Sequence, residues 1–108
     1  MTTAELGVAL HAKTRVKGND RTVCGCYIGD LMSLCMAHLE EDNIWITIQT
    51  NQNVIAVAAL KEAACVILAD GSRLDDLAAA KAEQEGITVL ESELSAYALA
   101  LRLGDLGI

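Results

Sequence analysis

Phenylalanine and proline are both missing from this 108-residue chain, and aromatic residues make up only 3% of it. The chain therefore lacks the stacking platforms that binders of single-stranded nucleic acid need. Its net charge of −7 likewise opposes a nucleic-acid phosphate backbone as partner. No apolar run approaches the roughly 18 residues of a membrane-spanning helix. Met1-Thr2-Thr3-Ala4-Glu5 lacks the basic-then-apolar order of a signal peptide. The expectation is a cytoplasmic chain whose Cys24, Cys26, Cys35 and Cys65 are reduced thiols rather than a disulfide framework.

Several catalytic signatures are absent as well. There is no Gly-x-x-x-x-Gly-Lys-[Ser/Thr] loop for phosphoryl transfer and no Gly-x-Gly-x-x-Gly dinucleotide fingerprint. A Gly-x-Ser-x-Gly nucleophile elbow is missing too. These absences point away from an enzyme and leave no cofactor to expect.

What is present is aliphatic. Val, Ile, Leu and Ala must supply most of a 53% hydrophobic fraction, enough for one domain over 1–108 to bury a core. Charge is uneven: residues 1–21 carry net +2 through Lys13, Arg15, Lys17 and Arg21, while residues 22–108 carry net −9. A basic N-terminal hairpin on an acidic body would attract an anion or a neighbouring subunit; alternatively these are solvated loop charges.

Thr2-Thr3-Ala4-Glu5 fits a capping box opening a helix over about Thr3–Leu10. His11–Val16 reads as a partly exposed strand, Lys17–Asp20 as a turn, and Arg21–Ile28 as a returning strand with Gly25 as a bulge or close approach. A helix follows Gly29-Asp30. Leu31, Met32, Leu34, Cys35, Met36 and Leu39 make it apolar around most of its circumference, which predicts cover on more than one side.

Asn43–Gly71 is the centre of the pattern. Asn43–Ile48 and Cys65–Ala69 are short β-branched runs, and Gln52–Ala63 between them fits the crossover helix of a βαβ unit. That helix carries Val54, Ile55, Val57, Ala58, Ala59 and Leu60, so it is buried or forms an interface. Beyond it, Ser72–Asp75 is a second capping pattern ahead of a Leu74, Leu77, Ala78 and Ala82 stripe that Gly86 ends. Ile87–Leu90 is a further strand. Ser92 caps a last helix with Leu94, Tyr97, Ala98 and Leu101 on one face, ended by Gly104. The order α-β-β-α-β-α-β-α-β-α predicts an α/β domain with a mostly parallel, mixed sheet of about five strands and helices on both faces.

Polar residues gather at the predicted carboxyl ends of the strands. Gln49, Thr50, Asn51 and Asn53 follow the first central strand, Asp70, Gly71 and Ser72 the second, and Glu91 and Ser92 the third. Such groups beside helix N-termini hold an anion or nucleotide phosphate, and open α/β sheets bind ligands there. Ordinary turns and caps use the same residue types. Cys24 and Cys26 share a strand face, in a spacing suited to a soft metal or a redox pair. Structural zinc needs further ligands, however, and Cys35, Cys65, His11 and His38 are scattered. Core or strand-packing thiols are the alternative.

Three stretches then carry a resemblance. Gly25-Cys26-Tyr27-Ile28-Gly29-Asp30-Leu31-Met32-Ser33, Trp45-Ile46-Thr47-Ile48-Gln49-Thr50 and Ile55-Ala56-Val57-Ala58-Ala59-Leu60 resemble the DRTGG domain family, over nearly the whole chain. The likeness is to small stand-alone members similar to the N-terminal domain of HPr kinase/phosphorylase. It implies an α/β fold of that kind and a regulatory or dimerising role. The family's Asp-Arg aligns with Asn51-Gln52 and its Thr-Gly-Gly with Ala69-Asp70-Gly71, so only Gly71 is retained. Asp20-Arg21-Thr22 lies elsewhere. The kinase's catalytic domain and P-loop are not in this chain, so kinase activity is rejected. The expectation is a homodimeric, non-enzymatic module working through a protein partner. The alternatives are a sensor of an adenine nucleotide or another anion, and a thiol- or metal-responsive protein using Cys24 and Cys26.

Overall fold

Helices and strands alternate in the computed structural model, which describes residues 1–108, as the sequence pattern predicts. The elements are α1 (Thr3–Ala9), β1 (Lys13–Val16), β2 (Cys26–Ile28), α2 (Met32–His38), β3 (Ile44–Thr47), α3 (Gln52–Leu60), β4 (Cys65–Leu68), α4 (Asp76–Glu85), β5 (Thr88–Glu91) and α5 (Ala96–Asp105). One five-stranded sheet has the order β1-β5-β4-β3-β2. β2, β3, β4 and β5 run parallel, and β1 is antiparallel on β5.

Each β-α-β step moves one strand along the sheet in the same direction. A single crossover hand then puts α2, α3 and α4 on one face. Trp45, Val66, Leu68 and Val89 bury against that layer with Cys35, Val54, Ile55, Ala58, Ala78 and Ala82. The alternate residues Ile44, Ile46, Cys65, Ile67 and Leu90 point to the other face. There they pack with Leu6 and Leu10 from α1 and its end, and with Leu99 and Leu103 from α5. Covered on both sides, β3, β4 and β5 are buried at every position, which is why β4 and most of β3 read as continuous apolar runs rather than alternating ones, while β5 buries Thr88 and Glu91 at its ends. The indole of Trp45 is fully enclosed, and its Nε1–H donates to the Gly29 carbonyl at 2.9 Å, which fixes the ring.

The two N-terminal strands do not form a hairpin. They lie on opposite edges of the sheet with three strands between them. Residues 17–25 cross under the amino ends of the parallel strands. On the way, Gly18 N–H donates to Thr88 Oγ1 (3.0 Å), Asn19 N–H to the Gly86 carbonyl (2.9 Å) and Cys24 N–H to the Asp42 carbonyl (2.8 Å). Arg21–Val23 pairs with the N-terminus instead of extending β2: Thr3 N–H donates to Arg21 O, Val23 N–H to Met1 O, and Thr2 bridges Thr22. Gly25, at φ +75°, breaks the strand rather than bulging it, so β2 is only Cys26–Ile28.

Other boundaries shift for local reasons. α3 ends at Leu60, because Glu62 takes φ +54° and turns the chain into β4. Ser95, not Ser92, caps α5, accepting from Ala98 N–H at 3.1 Å, and the helix runs through Gly104 to Asp105. Its buried face is consequently Leu99 and Leu103, with Tyr97 and Leu101 outside. In α4 the buried stripe is Ala78, Ala79 and Ala82. Leu74 is buried ahead of the helix and Leu77 is exposed. The α2 helix is covered on one side only, because it lies at the end of its layer with α3 as its one neighbour there; Cys35 is its buried residue and Leu39 caps it.

Candidate functional site

The carboxyl ends of β4 and β5 are where the connections part. The loop after β4 leads to α4 on one face and the loop after β5 to α5 on the other. In open parallel sheets that divergence makes the usual ligand crevice. Here the crevice is laced shut by backbone hydrogen bonds. Asp70 N–H donates to the Leu94 carbonyl, and Gly71 N–H and Ser92 N–H to the Ser92 and Leu68 carbonyls, all at 2.9 Å.

Asp70 and Gly71 reach those partners through left-handed backbone at φ +57° and +73°. The positive φ is the physical reason for glycine at position 71; the one close contact a Cβ would meet is the mobile tip of Glu93, at 2.5 Å from Oε2. Ser72 N–H closes the turn on the Ala69 carbonyl at 3.0 Å.

Glu91, at the end of β5, is the centre of the ionic network here. Its carboxylate accepts from the Leu74 N–H at 2.9 Å and lies 3.5 Å from both Arg15 Nε and Arg73 Nη1. Arg15 reaches on to Asp76 at 2.8 Å and the Leu74 carbonyl at 3.2 Å, and Arg73 to Glu93 at 3.1 Å. Sequence reasoning placed Glu91 among the strand-end polar groups. It could not find Arg15 and Arg73, which come from the opposite-running edge strand and a separate loop.

The first predicted cluster is held by local bonds. Thr47 Oγ1 and Ile48 N–H both donate to Asp30 Oδ1, at 2.8 and 2.9 Å, and Gln49 Nε2 donates to the Asp30 carbonyl at 3.2 Å. Asn51 Nδ2 donates to Gln49 Oε1 at 3.3 Å, and Asn51 Oδ1 caps α3 by accepting from Asn53 N–H at 2.9 Å. The Thr50 carbonyl takes the Asp75 N–H at 3.0 Å. Asn51 and Asn53 line a 370 Å³ cleft between α3 and α4, but Asp75 and Asp76 line it too and oppose an anion there. The larger cleft, 430 Å³, lies on the β1 side of the β5 end. It collects Arg73, Glu91, Ser92, Glu93 and Leu94 with His11, Lys13 and Arg102. Gln49, Thr50, Asp70, Gly71 and Ser72 line neither cleft.

Cys24 and Cys26 are exposed at the β2 edge, and no group of three His, Cys, Asp or Glu side chains comes together to hold a metal ion. Burial pushes Cys65 up to about 12, and partial desolvation of the Cys26 thiol near it, in a residue otherwise exposed, pushes that one up to about 11, the reverse of nucleophile activation. His38 stacks on Tyr27 with ring centroids 5.8 Å apart, and His11 is exposed at the end of α1. No helix is long and apolar enough to cross a membrane.

A singly wound α/β domain with its switch point laced by its own loops is thus the class of protein defined here. The profile of the DRTGG domain matches residues 5–106, and the chain belongs to that family. Among solved structures, it is similar to the CBS and DRTGG domains of the regulatory region of Clostridium perfringens pyrophosphatase, complexed with the activator diadenosine tetraphosphate. The TM-score is 0.73 at 11% identity, over 94% of this chain. At that identity the likeness concerns the fold, and this chain spans 45% of the other's length. No curated protein sequence matches.

Proposed function

We propose that this domain is a non-enzymatic regulatory module that acts through protein contacts and self-associates across α2 and the β2 edge. The observation that supports it is an uncovered apolar border. Leu31 is 62% exposed, Leu34 49% and Ile28 47%, all at the β2 end of the sheet, beyond which no further strand lies. β2 also leaves its outer backbone groups unpaired, and an edge of this kind is a template for a second strand. A second copy offers the same edge and the same leucines, which a two-fold interface makes self-complementary. α3 is less suited, since α2 and α4 flank it and its exposed apolar residues are Ala56 and Leu60. The similar fold in a pyrophosphatase regulatory region supports the regulatory half of the proposal. Multi-angle light scattering at micromolar concentration should give a dimer, and Leu31→Glu with Leu34→Glu a folded monomer. A monomeric parent chain would refute the dimer.

A second reading is a sensor domain that binds an adenine nucleotide or another anion at Gln49–Asn53 and Asp70–Ser72. It is favoured by the neighbour structure's complex with diadenosine tetraphosphate. Binding must raise apparent stability by mass action. A thermal-shift series with nucleotides near millimolar concentration that leaves the midpoint unmoved would remove it.

A further inference from the structure

We infer that the 430 Å³ cleft beside the carboxyl end of β5 is a binding site for a small phosphate-bearing anion, with Lys13, Arg73 and Arg102 as its cationic ligands. These three residues come from β1, the loop after β4, and α5, and the fold alone brings them to one cleft. In a chain of net charge −7, gathering three of eight Lys and Arg residues in one concavity makes a local attraction that the rest of the surface opposes.

The carboxylates in the same cleft do not cancel it. Glu91 is wholly buried and is shared between Arg15 and Arg73. Glu93 is exposed and bridges to Arg73 alone, at 3.1 Å. Lys13 and Arg102 have no carboxylate partner, and His11 adds a ring donor at the rim. Glu93 therefore stands where an anion would sit on Arg73, as a tethered competitor that an incoming phosphate displaces.

Two features favour a phosphate-bearing molecule over a lone small ion. The volume lies within the range of about 300–1,000 Å³ usual for small-molecule sites. The donors are two arginine forks and a lysine, a set that matches several phosphate oxygens at once. Leu10 and Leu94 give the cleft an apolar wall for the uncharged remainder of the ligand.

The inference places the anion on residues other than Gln49–Asn53 and Asp70–Ser72, in a cleft whose Ser92 and Leu94 are bonded through their carbonyls to Gly71 and Asp70, and it does not depend on dimerisation. Isothermal titration of the whole chain with pyrophosphate, inorganic triphosphate and ATP, with citrate as a tricarboxylate control, tests it. The phosphate compounds should bind with an affinity that falls as salt rises, and citrate should bind at least about tenfold more weakly. Lys13→Gln and Arg102→Gln are at exposed positions and should leave the circular dichroism spectrum unchanged. Each should weaken binding about tenfold, the loss expected for a hydrogen bond to a charged group. Glu93→Gln, which removes the competitor, should tighten it several-fold, and Asn53→Ala should leave it unchanged.

Binding that Asn53→Ala abolishes and Lys13→Gln spares would overturn this site while sustaining the sensor reading. Phosphate compounds that fail to bind at millimolar concentration, or citrate binding equally well, would also overturn it.

Discussion

The Glu91 carboxylate and the Arg15 guanidinium meet 3.5 Å apart, with the Glu91 side chain fully out of water and that of Arg15 26% exposed. This contact joins the last parallel strand to the single antiparallel one. Through Leu74 N–H it also anchors the loop entering α4. A buried carboxylate is stable only if its oxygens are paired, and here the two arginines and one backbone donor do so.

Replacing Glu91 therefore tests which partner matters. Glu91→Gln keeps an acceptor for Leu74 N–H, and the partly exposed arginines can rehydrate, so a loss of about 1 kcal/mol is expected. Glu91→Ala strands the buried N–H and leaves a void, and about 2–4 kcal/mol is expected. Urea unfolding of both variants measures the order. Equal losses would show that the ion pairs, not the loop anchor, carry the contribution.

Two glycines should respond differently to a methyl group. Gly71→Ala meets only the tip of the Glu93 side chain, which can swing away, so the cost is that of left-handed backbone, about 1–2 kcal/mol. Glu93→Ala in the same background should not restore it. At Gly18 the new Cβ runs into the Gly86 carbonyl and Ile87 backbone, which cannot swing away. Gly18→Ala should cost about 3 kcal/mol or more by overpacking. Thermal and urea melts of the variants decide the ranking.

Stability should decline at alkaline pH. Burial raises Cys65 to about 12 from an ordinary 9.0, and partial desolvation raises the Cys26 thiol to about 11, so the folded chain keeps protons that the unfolded chain gives up. Where the unfolded state binds fewer protons, stability falls as pH rises. The thiol contribution is thus intact below about pH 9 and is lost progressively toward pH 11–12. Cys65→Ala should flatten the fall measured by urea melts between pH 8 and 11. A slope unchanged by Cys65→Ala would exclude this origin.

Fold class was readable because its signals are local. The β-branched runs at Ile44–Thr47, Cys65–Leu68 and Thr88–Glu91 alternate with stretches that have helical periodicity, and caps or left-handed residues mark several of their ends. The β1 and β2 placement was not readable, because an apparent turn at Lys17–Asp20 looks the same whether the next strand pairs beside it or three strands away. Only the ladder between β1 and β5, Lys13 opposite Glu91 and Thr14 opposite Leu90, chooses between them. The capping role of Asn51 was legible from its type and position. The α5 cap was misplaced by three residues because Ser92 and Ser95 are both suitable, and the backbone bonds to Asp70 and Gly71 decide which one starts the helix.

By itself the sequence determined a single α/β domain with three consecutive βα units, an aliphatic core and polar strand ends, since each follows from periodicity and residue type within a dozen positions. Tertiary structure alone decided what those polar ends face. Opposite-running β1 brings Arg15 to Glu91 and Lys13 to Arg102 and Arg73, over separations no local pattern encodes. The loops after β4 and β5 close on each other by backbone bonds, which moves the open concavity from the predicted turns to the β1 side. Local chemistry specifies the elements. Side-chain charge acts across whichever elements the sheet order makes neighbours, so the site belongs to the topology.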